Sequence, residues 1–82
     1  MSDNSKSSPD KILNVKNLLC PLPIYRTDAA MLDLEKGQTI EIQATDPAFV
    51  NDLPAYCGIN GHKLLDIQHK GRVIIGLVEK GE

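Results

Sequence analysis

Aromatic residues are scarce in this 82-residue sequence: tryptophan is absent, and phenylalanine and tyrosine together make up only 4% of the chain. This scarcity argues against the stacking surfaces with which many proteins bind single-stranded nucleic acid. The nine lysine and arginine residues are dispersed and are outnumbered by eleven acidic residues, so no basic block is available to neutralise phosphates. We therefore expect no direct contact with nucleic acid.

Long hydrophobic runs are also absent. The longest apolar stretches, 18–24 and 73–78, are far shorter than the roughly 20 residues needed to span a bilayer. The first ten residues show neither the basic nor the apolar region of a signal peptide. We therefore expect a cytoplasmic protein without membrane contact, in a compartment where thiols stay reduced.

The chain has little material for a hydrophobic core. Residues 1–10 contain four serines and no aliphatic residue beyond Met1, a composition typical of a disordered tail. Residues 11–82 are too few for a second core, so they are predicted to form one domain. We expect this domain to be a monomer.

Alternating apolar and polar residues predict the strands. Residues 39–44 alternate cleanly, and 11–15 form a short apolar-leaning segment. Two further segments, 63–69 and 72–79, flank a two-residue hairpin signal at Lys70-Gly71. In that hairpin we expect Leu65 and Ile67 to pair with a face made of Val73, Ile75 and Leu77.

Two segments between these strands have helical patterns. Residues 21–35 place Ile24, Thr27, Met31 and Leu34 on one stripe, and Lys36-Gly37 is predicted to end this helix. The second helix is predicted to begin with Asp46 as N-cap and Pro47 as its first residue, and to end at Gly58 and Gly61. Pro54 inside it predicts a kink or two short pieces.

The order of elements is thus βαβαββ. At this size two helices can cover only one face of a four-stranded sheet. The sequence therefore predicts an α/β (α+β) two-layer sandwich, with a four-stranded mixed sheet and two helices on one face.

The candidate chemistry lies in Cys20-Pro21-Leu22-Pro23. Cys20 is predicted at the N-cap of the first helix, with Pro21 and Pro23 in the first turn, where a missing N–H costs no helical hydrogen bond. Only the N–H of Leu22, and that of Ile24, would remain free to face the sulfur. Because a helix N-terminus stabilises a nearby anion, we expect a lowered pKa for the Cys20 thiol and a nucleophile that needs no adjacent base.

A purely structural interpretation of Cys20 is a small buried hydrophobic residue at the start of a helix. Ser, Thr, Asp or Asn would cap the helix better, so a cysteine between two prolines is better explained by chemistry than by packing.

The other candidate residues have simpler interpretations. Cys57 shares a helical face with Val50 and Leu53 and is predicted to lie in the core, with a resolving thiol for Cys20 as the alternative. His62 and His69 are predicted to be surface or turn histidines. The spacing of cysteines and histidines supplies too few ligands for a metal, and no phosphate-binding or dinucleotide-binding turn is present, so we expect neither metal nor cofactor.

Arg26 lies six residues beyond Cys20, about 9 Å further along the predicted helix and on a different side of it. It is predicted either to be a solvated residue or to dock an acidic partner surface beside the thiol.

The cysteine segment resembles the CPxP motif that opens the first helix of TusA/SirA sulfur-carrier proteins. The resemblance covers about residues 11–80 and includes Arg26-Thr27, Asp46-Pro47, Asp52-Leu53-Pro54 and Gly61-His62-Lys63-Leu64-Leu65. Asn14 and Asn17 stand where family members usually have Asp and Gly, and Asn17 tolerates the left-handed conformation that this loop requires. The resemblance implies a βαβαββ sandwich and a persulfide-carrying cysteine at Cys20, with Pro21, Leu22 and Pro23 fixing its geometry.

The resemblance also implies a role. Such a protein is a sulfurtransferase-type carrier rather than an independent catalyst: it accepts a sulfane sulfur as a persulfide and passes it to a partner's cysteine. The implied donors are a cysteine desulfurase or a rhodanese, and the implied acceptors are a DsrE-type relay protein or a thiolating enzyme. The pathway stays open between tRNA 2-thiouridine formation, molybdenum cofactor metabolism and sulfur oxidation.

A second class of function uses the same fold without thiol chemistry. An RNA-binding module or a regulatory interaction module is the alternative, and it rests on analogy of fold alone.

Overall fold

The computed structural model describes residues 8–81 and contains six elements. They are β1 (Lys11–Val15), α1 (Leu22–Met31), β2 (Thr39–Ala44), α2 (Phe49–Asn60), β3 (Lys63–Lys70) and β4 (Val73–Glu79). This order confirms the predicted βαβαββ arrangement. Most of the predicted disordered tail lies outside the described residues, but Asp10 does not: its N–H and carboxylate bond to Thr39 and extend the pairing of β1.

The four strands form one mixed sheet in the order β1-β2-β4-β3. β1 runs parallel to β2, and β4 runs antiparallel to both of its neighbours. The apolar side chains of β2 are fully buried, which confirms the predicted alternation. Buried residues of both helices pack with them in one core, so the two helices cover the same face of the sheet, as predicted. No helix within residues 8–81 is long and apolar enough to cross a membrane.

The core face of β4 differs from the prediction. Ile74, Gly76 and Val78 face the helices, whereas the predicted face of Val73, Ile75 and Leu77 lies half-buried on the other side. Both faces of this strand are apolar enough that alternation alone does not identify the buried one. The deciding contact is at Gly76, where any Cβ would overlap the side chain of Leu53 from α2.

The hairpin also differs in register. Its two-residue loop is Gly71-Arg72, with Gly71 at φ 64°, so the turn lies one residue later than predicted. A register irregularity between Leu64 and Asp66 leaves Leu65 exposed, and Ile67 pairs with Gly76 on the helix side. The predicted pairing of Leu65 and Ile67 with one common face is therefore wrong, because a bulge changes the alternation.

Helix α1 ends at Met31, four residues before the predicted end. The next residues form tight turns that fold Leu34 into the core. The ammonium of Lys80, from the chain after β4, donates to the carbonyls of Met31 at 2.7 Å and Leu34 at 2.9 Å. A cation from the other end of the sequence therefore satisfies the C-terminal carbonyls of this helix.

Helix α2 begins at Phe49 with Ala48 as N-cap, so the prediction of Asp46 as its N-cap is wrong. The helix is a single element that contains Pro54 and ends at Gly61, which has the left-handed conformation at φ 77°. Of the two alternatives predicted for Pro54, a kink or two short pieces, the two pieces are therefore wrong. Pro54 is exposed, so its ring lies away from the packed face of the helix.

Candidate functional site at Cys20

The parallel pairing of β1 with β2 creates the framework of the candidate site. Because parallel strands have their carboxyl ends at the same edge of a sheet, the loop after Val15 and the loop after Ala44 begin side by side. The carboxyl ends of such strands are the usual location of binding sites in α/β sheets. Cys20 lies on the first of these loops.

Two hydrogen bonds join the loops. The N–H of Asn17 donates to the Thr45 hydroxyl at 2.8 Å, and the N–H of Cys20 donates to Asp46 Oδ2 at 2.6 Å. Asn17 has φ 70°, which confirms the predicted left-handed conformation. The backbone of Cys20 is therefore held by Asp46, whose other carboxylate oxygen accepts from the N–H of Ala48 at 3.4 Å.

The thiol of Cys20 is exposed and forms no disulfide. Cys20 is not the N-cap of α1, because that position belongs to Pro21; the Cys20-Pro21 peptide bond is cis. Leu22 is then the first helical residue and Pro23 the second, one position earlier than predicted. Cys20 thus lies just outside the helix, and not within its first turn.

The predicted electrostatic effect of the helix terminus is wrong. The N–H of Leu22 donates to the Leu19 carbonyl at 2.8 Å, and that of Ile24 donates to the Pro21 carbonyl at 3.1 Å. Pro21 and Pro23 have no N–H to offer. The four residues after Cys20 therefore supply no free N–H to stabilise a sulfur anion.

The pKa of Cys20 is raised from its ordinary value, and not lowered. The largest cause is the Asp52 carboxylate, which favours the protonated thiol as a hydrogen-bond donor; desolvation and the negative charges of Asp52 and Asp46 add to it. Both acids favour the neutral thiol, because a thiolate between them would be repelled. The resting protein therefore holds Cys20 as a thiol at neutral pH.

An open apolar groove of about 310 Å³ lies beside the thiol, between α1 and α2. We call it the Cys20 groove; its lining residues are Cys20, Pro21, Ile24, Asp52, Ala55, Tyr56, Ile59 and Asn60. Ile59 is 83% exposed at its rim, and Leu19 and Leu22 are exposed next to Cys20. A soluble domain rarely exposes so many apolar side chains together without a binding role.

The remaining predicted residues lie elsewhere. Cys57 is 2% exposed in the core, as predicted, and burial raises its pKa. Arg26 is exposed, does not line the Cys20 groove, and makes no ion pair with any described residue. No cluster of His, Cys, Asp and Glu that could hold a metal is found within residues 8–81.

His62 is more engaged than a surface histidine. Its Nδ1 accepts from the N–H of Gly81 at 3.0 Å, and its ring lies 5.6 Å from that of Tyr56. Partial burial and the charge of Lys80 lower its pKa.

Sequence reasoning missed Asp46 and Asp52 as neighbours of the thiol. It assigned Asp46 to the N-cap of the second helix and gave Asp52 no role at the site; Asp52 lies in the first turn of α2. The signal that could have found them is the parallel pairing of β1 with β2, which brings the residues after both strands to the same edge.

Residues 11–80 match the family model of the sulfurtransferase TusA. A Bacillus subtilis protein named "Putative sulfur carrier protein YrkI" is 44% identical over 72 residues, which are 88% of this chain and 96% of that protein. A second B. subtilis protein, "Putative sulfur carrier protein YrkF", is 37% identical over 85% of this chain, and an Aquifex aeolicus protein named "Putative sulfur carrier protein" is 31% identical over 87%. The matched segments cover only 38% and 36% of those two longer proteins.

A solved structure has the same fold. The crystal structure of a SirA-like protein from Desulfitobacterium hafniense superposes with a TM-score of 0.76 at 20% sequence identity, and covers 88% of this chain and 99% of that one. At this identity the likeness shows the fold. The match of the family model over residues 11–80, together with the relative at 44% identity, places the chain in the TusA sulfurtransferase family.

Proposed function

We propose that this protein is a sulfur carrier in which Cys20 accepts a sulfane sulfur as a persulfide and transfers it to the cysteine of a partner protein. The observation that carries the proposal is an exposed free thiol, held by a backbone bond to Asp46 beside an open groove, in a chain of the TusA family. Cys57 is buried in the core and cannot receive a partner's cysteine without unfolding.

The transfer is a thiol exchange without net oxidation. The Cys20 thiolate attacks the terminal sulfur of the donor's persulfide, a new S–S bond forms at Cys20, and the donor's S–S bond breaks to release the donor's thiolate. In the second half of the cycle an acceptor thiolate attacks the terminal sulfur on Cys20, and Cys20 leaves as a thiolate. The proton of the attacking thiol goes to solvent in each half.

The proposed partners are proteins. A cysteine desulfurase or a rhodanese serves as donor, and a DsrE-type relay protein or a thiolating enzyme serves as acceptor, in the cytoplasm. The carrier feeds tRNA 2-thiouridine formation, molybdenum cofactor metabolism or sulfur oxidation. Encounters with such partners are transient and need only a small interface, which suits a groove of this size.

The experiment is intact-mass analysis after incubation with a cysteine desulfurase and free cysteine. One added sulfur atom, removable by dithiothreitol, is expected on the wild type and on Cys57→Ser, and none is expected on Cys20→Ser. Loading of Cys20→Ser at the wild-type level would refute the proposal. Cys57→Ser is the matched control, since it removes the chain's other thiol.

A further inference from the structure

We propose that the Cys20 groove receives a partner-protein segment with a cationic side chain next to an apolar one, and that the cation pairs with Asp52 as the segment docks. This inference rests on the proposed function and adds the chemistry of the partner surface. It follows from the composition of the groove, from the bonding of the two acids beside the sulfur, and from the positions of the cations.

The walls of the Cys20 groove are mostly apolar, and Asp52 is the charged side chain among them. Ile24 and Ala55 contribute to the two sides, and Ile59 stands almost fully exposed at the rim. An apolar side chain of a partner would cover Ile59 and remove its surface from water, a gain of the kind that anchors small interfaces. The groove therefore fits one apolar side chain beside one charged group.

The two acids beside the sulfur differ in their bonding. Both oxygens of Asp46 are occupied by backbone N–H groups, those of Cys20 and Ala48. Within residues 8–81, the carboxylate of Asp52 makes no ion pair and accepts no hydrogen bond from a backbone N–H, and it lines the groove together with Cys20. Asp46 thus positions the loop, whereas Asp52 has free acceptor capacity that faces the groove.

Among the described residues that line the groove, Asp52 is the charged one. The groove is lined by no lysine or arginine from residues 8–81. Arg26 lies outside the groove, and Lys11 pairs with Asp33 at 3.6 Å. Because the uncompensated charge at the groove is negative, a partner segment with a cation is attracted and one with an acid is repelled.

Docking of such a cation also changes the thiol. Pairing with the cation neutralises the field of Asp52 and takes over its free oxygens, so the thiolate of Cys20 is no longer repelled by that charge. The proton leaves to solvent, and the sulfur then attacks the sulfane sulfur of the docked partner as balanced above. The thiol of the docked carrier should therefore be a better nucleophile than that of the free carrier.

The test uses three short peptides of equal length, each with one cysteine activated as a mixed disulfide with 2-thiopyridine. They differ next to the cysteine: Leu-Arg, Leu-Glu or Ser-Arg. Cys20 attacks the peptide sulfur, the S–S bond breaks, and thiopyridone is released and measured by its absorbance. For each variant, the rate with one peptide is divided by the rate with another, so the intrinsic reactivity of Cys20 cancels from the ratio.

At low ionic strength we expect wild type to react about three to ten times faster with the Leu-Arg peptide than with the Leu-Glu peptide, as for a partly exposed charge pair. In Asp52→Asn, and at high salt, this ratio should fall toward one. Asp66→Asn is the matched control, since it removes the same charge from the opposite face of the sheet and should keep the ratio. An unchanged ratio in Asp52→Asn, or a preference for the Leu-Glu peptide, would overturn the inference.

The apolar contact at Ile59 is tested by a second pair of variants. Ile59→Ser should reduce the preference for Leu-Arg over Ser-Arg, and Leu32→Ser should leave it intact. Both side chains are more than 80% exposed, at 83% and 81%, so neither variant should fail to fold, and Leu32 does not line the groove. An equal loss of preference in both variants would refute a binding role for the Ile59 rim.

The experiments distinguish a failure of the docking inference from a failure of the proposed carrier function. Persulfide loading of Cys20 without any charge preference among the peptides would overturn the docking inference alone. A charge preference that depends on Asp52, in a protein that never loads sulfur on Cys20, would leave the docking surface in place and overturn the carrier function.

Discussion

The bond between the Cys20 loop and Asp46 supports a prediction about stability and local order. Asp46→Ala removes an acceptor that lies 2.6 Å from the N–H of Cys20 and 3.4 Å from that of Ala48. A hydrogen bond to a charged group contributes about 1.5–3 kcal/mol to stability. The Asp46 side chain is half-exposed and its bond to the N–H of Ala48 is long, so we take the lower end of this range for the two bonds together. We expect Asp46→Ala to reduce the free energy of unfolding by about 1.5 kcal/mol.

The assay is urea unfolding followed by circular dichroism. With a dependence of about 1 kcal/mol per molar urea for a domain of this size, the urea midpoint should fall by roughly 1.5 M. Asp46→Asn keeps one neutral acceptor and should lose about half as much. Amide hydrogen exchange gives the local reading, since the N–H of Cys20 should exchange faster in Asp46→Ala than in wild type.

Asp66→Ala is the control, because this exposed acid accepts only from a neighbouring side chain, that of Gln68. It should change stability by less than about 0.5 kcal/mol. If Asp46→Ala were no more destabilised than Asp66→Ala, and Cys20 kept its exchange rate, the role of Asp46 in holding the loop would be refuted.

Three further predictions follow from the same structure. Asp52→Asn should shift the pH profile of Cys20 alkylation by iodoacetamide to lower pH, because the carboxylate raises the thiol pKa; an unchanged profile would contradict this cause. Gly76→Ala should lower the free energy of unfolding in urea by about 1–3 kcal/mol, because the added methyl overlaps the buried side chain of Leu53. Gly58→Ala is the control and should be neutral or stabilising, since the space at its Cβ is open. Equal effects of the two substitutions would exclude the packing argument. His62 has a lowered pKa in the folded protein, so as the pH falls the unfolded chain binds a proton on this residue before the folded chain does. The contribution of His62 to the free energy of unfolding should therefore be complete above about pH 6.5 and should decrease as the pH drops below that value. This pH dependence should vanish in His62→Gln.

The strands and helices could be predicted wherever the pattern is local. The alternation of 39–44 predicts a strand that is buried on one face, and Thr27 and Met31 mark the buried stripe of the first helix. The end of that helix could not be predicted, because the cation that satisfies its last carbonyls is Lys80, far along the chain. The buried face of β4 likewise depends on one close contact with α2 that no pattern within β4 contains.

The position of the candidate site could be predicted from the sequence, but its electrostatic environment could not. The two prolines around Leu22 identify Cys20 as the unusual residue, and the exposed thiol agrees with this. Its raised pKa comes chiefly from Asp52, with desolvation and the charge of Asp46 adding to it, and the fold brings these two acids toward the sulfur from α2 and from the loop after β2. A prediction from the helix terminus alone therefore had the wrong sign, since it counted only charges that are close in sequence.

The second face of the sheet, which neither α1 nor α2 covers, lies on the side of the molecule away from the thiol. Its shallow cavity of about 270 Å³ is lined by side chains such as Glu41, Gln68 and Leu77, none of which borders the Cys20 groove. A solid support or a fluorescent label attached at that face would therefore leave the reactive sulfur unobstructed. Sulfur exchange could then be followed on the immobilised protein in real time.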